Sequence, residues 1–151
     1  MVTMLVTGSN SGNEKIEIVK ENGDTTVCPQ MTNYPLDVYA AAGASFPDKT
    51  TVVCGGQDEY VFRADCYKLK NSQWESFGQL QTARVSHGAT RIGDSIWFTG
   101  GTNYDGRLAT TQILNFDGTI TTGPNLPEAR NRHCQTSFGN TILITGKLLI
   151  D

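Results

Sequence analysis

The chain has 151 residues, 38% of them hydrophobic and 18% charged, with 16 glycines and a net charge of −3. That length suits one ordinary domain, and a glycine-rich, charge-poor composition fits a β chain with many turns better than a helical bundle. Lys and Arg form no block, which argues against a nucleic-acid partner, and no apolar run reaches the ~20 residues of a membrane-spanning helix.

Read from the start, MVTMLVTGSNSG has no basic leading region, and its short apolar stretch is broken by threonine, so it predicts a strand and not a secretory signal. The segments KIEIVK (15–20) and DTTV (24–27) follow as strands around an Asn22-Gly23 turn. VYAAAGAS (38–45) comes next, and then a β-branched run, TVVC (51–54), that halts at Gly55-Gly56 and opens into a polar loop. ADCYKLK (64–70) and QWESF (73–77) flank Asn71-Ser72. RVSHGATRI (84–92), the turn Gly93-Asp94 and SIWFT (95–99) lead into Gly100-Gly101, and TTQILNF (110–116) and TIT (119–121) flank Asp117-Gly118. Finally RNRHCQTSF (130–138) and TILIT (141–145) surround Gly139-Asn140. Glycine, asparagine and aspartate tolerate positive φ, so these pairs predict tight hairpins.

The strand-ending glycines Gly8, Gly55, Gly100 and Gly146 stand 47, 45 and 46 residues apart. A constant period of this length in a strand-rich chain is the signature of a propeller. Each unit holds four strands, with two-residue turns at one end and longer loops at the other. The units run over residues 1–35, 36–82 and 83–127, with a fourth beginning at 128–151. About three units fall short of the four to eight blades that close a propeller. The expectation is therefore either self-association or further blades from a longer chain.

The pattern, assembled across neighbouring units, runs from an Arg-x-x-His segment through a hairpin to a strand ending in Gly-Gly, then an aromatic or apolar strand centre and a tryptophan. The matching residues are Arg84, His87, Gly55, Gly56, Tyr67 and Trp74, with Arg130, His133, Gly100 and Gly101 as second copies. This resembles the kelch repeat, and the resemblance implies an all-β, incomplete kelch-type β-propeller of four-stranded antiparallel blades. Departures from the pattern are Ile120 in place of a second tryptophan, the lack of Arg and His in 36–40, and single glycines at Gly8 and Gly146. The resemblance implies that Arg84 and Arg130 tie one blade to the next, against the alternative of cations facing a ligand at the central opening. Tyr67 and Trp74 are expected to fill the space between neighbouring sheets.

His87 and His133 are 46 residues apart and occupy equivalent places, without the spacing of a metal site, so they read as structural and no metal is implied. Cys54 and Cys66 are symmetric about Tyr60 at facing ends of antiparallel strands, which leaves a cross-strand disulfide or two reduced thiols. Some secreted kelch-like proteins place cysteines similarly, which leans towards an extracellular setting; the lack of an Asn-x-Ser/Thr sequon leans away from it. Cys28 and Cys134 have no assignable partner. Asp58-Glu59 reads as a solvated loop tip. No nucleophile with its base and no phosphate loop can be placed, so neither catalysis nor a cofactor is implied.

The loops QDEYVFR (57–63), TNYDGR (102–107) and LPEARNR (126–132) lie at one end of the blades by strand alternation. Tyr60, Phe62, Arg63, Tyr104, Arg107 and Arg132 are of the types that dominate protein interfaces. The function expected is a non-catalytic module that binds a protein or peptide partner through this face. The alternatives are a fragment of a carbohydrate-acting kelch-like enzyme (oxidase, sialic-acid epimerase or sialidase-like) and an extracellular glycan-binding module.

Overall fold

A computed structural model describes residues 32–146 throughout and, ahead of them, the backbone of β1 (Val2–Val6), β2 (Ile16–Lys20) and β3 (Thr25–Val27). The expectations for Gly8, the Asn22-Gly23 turn and Cys28 lie outside the described residues. Among the described residues every element is a strand and every pairing is antiparallel. Among the described residues there is no helix long and apolar enough to cross a membrane.

The three N-terminal strands form a sheet in the order β1-β2-β3. A four-stranded meander follows: β4 (Ala42–Ser45), β5 (Thr51–Cys54), β6 (Asp65–Lys70) and β7 (Gln73–Gln79). The second four-stranded sheet, within 83–127, consists of β8 (Gly88–Ile92), β9 (Ser95–Thr99), β12 (Thr111–Asn115) and β13 (Ile120–Thr122). Its β9–β12 loop carries a two-residue ribbon of β10 (Thr102–Asn103) and β11 (Gly106–Arg107). The described part ends with a hairpin, β14 (Cys134–Phe138) and β15 (Thr141–Thr145). The leading strands lie side by side, β4 against β8 and β8 against β14.

Hairpin turns fall where the two-residue signals stand. Asn71 and Ser72 both adopt positive φ, 50° and 64°, the pattern of a tight turn whose twist matches its strands. The strand expected from Arg84 begins only at Gly88, and that expected from Arg130 only at Cys134. Ser86 (φ 55°) and Arg132 (φ 50°) are left-handed, and a non-glycine residue in that region breaks the extended run. Ala40 (φ 53°) does the same one period earlier, which is why the strand begins at Ala42.

The main core lies between the two four-stranded sheets. Phe46, Val52, Cys54, Cys66 and Leu80 from the first meet Ile96, Phe98 and Leu114 from the second, all at 3% exposure or less. Strand alternation sends Val53 to the opposite face, where it joins Tyr34 and Val38. There the Tyr34 ring sits edge-on to Trp74 at 4.9 Å and to Tyr67 at 5.5 Å.

Candidate functional site

The site is built on a backbone arrangement that recurs with the period. Gly55 (φ 69°) and Gly100 (φ 60°) end β5 and β9 in the left-handed region, where a side chain is costly. A Cβ at Gly55 would lie 2.6 Å from the Arg84 carbonyl oxygen, and one at Gly100 2.5 Å from that of Arg130. Both glycines are therefore required by close approach as well as by φ. Beside them, the Gly56 N–H donates to the Arg84 carbonyl at 2.9 Å and the Gly101 N–H to the Arg130 carbonyl at 2.8 Å. Ser86 donates its N–H to the Ala40 carbonyl (2.9 Å) and Arg132 to that of Ser86 (2.8 Å). The three left-handed residues are thus threaded on one chain of hydrogen bonds.

The two arginines share backbone roles and differ in their side chains. Arg84 is wholly buried, and its guanidinium donates to the carbonyls of Gly100 (2.9 Å) and Thr110 (3.0 Å) and to Thr110 Oγ1 (3.0 Å). Its backbone pairs with Arg63 and Gly56 of the preceding sheet, so one residue joins the two sheets. Burial lowers its pKa to about 10, still charged at neutral pH, with carbonyls in place of a counter-ion. Among the described residues the Arg130 guanidinium reaches only the exposed Glu128, at 3.8 Å, and its buried Nε has no partner.

The histidines lie over the glycines. The His87 ring approaches Gly55 and that of His133 approaches Gly100. Among the described residues neither His87 nitrogen makes a hydrogen bond of good geometry, the nearest being a weak one with the Cys54 backbone. Burial above all, then the charges of Arg84 and His133, lowers its pKa to about 3, a backbone contact with Cys54 acting the other way, so the ring is neutral at physiological pH. His133 Nε2 lies 3.1 Å from Thr99 Oγ1, and burial and the Arg130 charge lower its pKa against the pull of Gln135. Among the described residues no three His, Cys, Asp or Glu side chains converge as a metal centre needs. Cys54 and Cys66 face each other directly across β5 and β6, 4.1 Å apart at Cα, and form a disulfide sealed in the core.

The loop face brings three of the six candidate residues together. Tyr104 stacks on Phe62 with ring centroids 4.4 Å apart. Its hydroxyl accepts the Phe62 N–H at 3.0 Å and donates to the Tyr60 carbonyl at 3.4 Å. The loop after β5 is thereby fastened to the loop after β9, with Tyr60 82% and Tyr104 69% exposed. The other three candidates are placed differently. Arg63 is engaged by Asp58, Arg107 stands opposite Thr102 in the β10–β11 ribbon, and the exposed Arg132 sits on the left-handed chain.

Asp58 corrects the reading of a merely solvated tip. Its carboxylate accepts the N–H groups of Tyr60 (3.0 Å) and Val61 (2.8 Å) and the Arg63 Nε–H (2.8 Å), organising the loop that presents Tyr60. The Tyr60 N–H first, then Arg63 and Val61, hold this carboxyl below the usual carboxylate range. The signal was local: an aspartate two residues before a loop amide is the pattern of an Asx turn. The Tyr104–Phe62 contact had no such signal, because the partners lie 42 residues apart on different sheets.

No protein-family model and no curated protein matches the chain.

Proposed function

We propose that the chain is part of a kelch-type β-propeller and serves as a non-catalytic interaction module. The propeller reading is supported by the period, by the repetition of backbone hydrogen bonds with it, and by the side-by-side placement of β4, β8 and β14. The binding reading rests on one observation: Tyr104 fastens two loops from neighbouring sheets and leaves Tyr60 exposed on a surface organised by Asp58.

Such a surface is suited to a protein or peptide partner. Its aromatic groups are held in place before binding, so less ordering entropy is lost on association. Val61 at 41% exposure and Tyr39 at 38% extend the exposed apolar area.

The test is a peptide display library panned against the immobilised chain. The enriched peptides should bind the Tyr60→Ala variant about 2 kcal/mol more weakly, roughly thirtyfold, with the thermal midpoint unchanged because Tyr60 supports no core contact. Enrichment indifferent to Tyr60→Ala and Val61→Ser, or signal on a glycan array with none from peptides, would overturn the peptide reading.

A further inference from the structure

The two loops that meet at Tyr104 end in tips built to one plan. In the first, the Asp58 N–H donates to the Val61 carbonyl at 3.2 Å, which leaves Glu59 and Tyr60 as the outermost residues. In the second, Asn103 pairs with Gly106 across the β10–β11 ribbon, which leaves Tyr104 and Asp105 outermost. Each tip therefore offers one tyrosine and one carboxylate, and all four residues are exposed. The Tyr104 hydroxyl, donating to the Tyr60 carbonyl, holds the two tips together.

The charges on these loops are unevenly used. Arg63 is committed to the Asp58 carboxylate, and Arg107 is likewise engaged. Among the described residues Glu59 has no hydrogen-bond or ion-pair partner, and the Asp105 carboxylate receives only the neutral Asn103 amide, at 3.3 Å. The aromatic surface is open as well. Phe62 covers one face of the Tyr104 ring, and no ring or cation of the described residues stands on Tyr60. Aromatic faces attract positive charge, and carboxylates without a counter-charge pair with it. An acidic segment would be repelled by Glu59 and Asp105, and a purely apolar one would leave them unpaired.

We infer that the joined tips receive arginine side chains of a basic peptide segment. A guanidinium lies on Tyr60 or on the open face of Tyr104 and pairs with the carboxylate of the same tip. Arginine suits the arrangement better than lysine, because its planar group stacks on a ring and meets a carboxylate through two N–H groups. This inference rests on the interaction-module reading of the same face and names the partner chemistry which that reading leaves open.

The probe is the capped peptide Gly-Arg-Gly-Arg-Gly, titrated into the whole chain at low ionic strength, where exposed charges are least screened. Amide chemical shifts of the two loops, 57–63 and 102–107, are the readout. A second peptide with citrulline in place of each arginine keeps the shape and lacks the charge. The arginine peptide should shift those amides saturably, and the citrulline peptide should bind about tenfold more weakly. Combining Glu59→Gln with Asp105→Asn should weaken the arginine peptide by about tenfold as well, with the thermal midpoint unchanged because both side chains are exposed. Equal binding of the two peptides, indifference to the double substitution, or no shift at these amides overturns the inference. Display-selected peptides that need Tyr60 yet carry no basic residue would overturn it too, while leaving the interaction module intact; absence of both kinds of binding removes the module as well.

Discussion

The two four-stranded sheets make the same strand pairing with different chemistry at one place. In the first, Cys54 and Cys66 lie opposite each other on the central strands and are joined covalently. In the second, the same two places hold Thr99 and Thr111, also opposite each other and also buried. The disulfide acts within its own sheet, chiefly by restricting the unfolded chain. The threonine acts between sheets: Thr99 meets both His133 and Gln135 of the adjoining hairpin, and Gln135 also donates to the Trp97 carbonyl at 3.0 Å. The cost of the covalent solution is visible one residue away. A disulfide sulfur is a poor partner for imidazole, and among the described residues His87, which occupies the place of His133, finds no side-chain hydroxyl and only a weak backbone contact with Cys54.

The largest expected effect separates the two arginines. Arg84→Ala should destabilise the fold by about 3–4 kcal/mol, since it strips a buried side chain, takes the donor from the Gly100 carbonyl and leaves the Thr110 carbonyl with the Gly100 N–H alone. Arg130→Ala should cost less than about 1 kcal/mol, as expected for a pair with an exposed carboxylate. Equal midpoint shifts in urea unfolding would break the distinction.

Next comes the disulfide. It closes a loop of sequence separation 12, so replacing both cysteines by alanine should cost roughly 3 kcal/mol. Copying the second sheet instead, with Cys54→Thr and Cys66→Thr, should recover about 1 kcal/mol of that loss by giving His87 a hydroxyl. If the threonine pair is no better than the alanine pair, the proposed trade between covalent bond and inter-sheet hydrogen bond is wrong.

The smallest effect is on pH dependence. Unfolded His87 takes up a proton below about 6.5, while folded His87 stays neutral down to about 3. The unfolded state therefore binds more protons in this window, and the stability that His87 contributes is full above pH 6.5 and lost as pH falls towards 3. The slope from this one group should approach roughly 1.4 kcal/mol per pH unit. His87→Leu should flatten the curve between pH 6 and 4; an unchanged slope would place the titration elsewhere.

Much of this comparison could be read from the chain, and the unread part has a common cause. SIWFT and TILIT form strands over the residues expected, because alternation and flanking turn residues are local properties. That Cys54 and Cys66 face each other was legible from their symmetry about a loop, while the choice between a disulfide and two thiols stayed open until the structure showed the bond. Ala40, Ser86 and Arg132 were not legible as left-handed residues, since none is glycine, asparagine or aspartate; their conformation is imposed by hydrogen bonds to a neighbour 46 residues away. Likewise Arg84 and Arg130 look alike in sequence, and only the partners around them make one a buried clamp and the other a half-used donor. The first set of contacts crosses between sheets and the second spans 16 and 26 residues within one unit, and neither leaves a mark in local residue spacing.

The bonds from Ser86 to Ala40 and from Arg132 to Ser86 have a bearing on ancestry. Ser86 donates to the unit before and accepts from the unit after through main-chain atoms alone, with alanine, serine and arginine equally serviceable at the junction. A gene that gained or lost one such unit would need no matching substitution to restore this seam. Side chains at the junction are thus released to diverge, and Arg132 can differ from Ala40 in size and charge without loosening the thread that holds them.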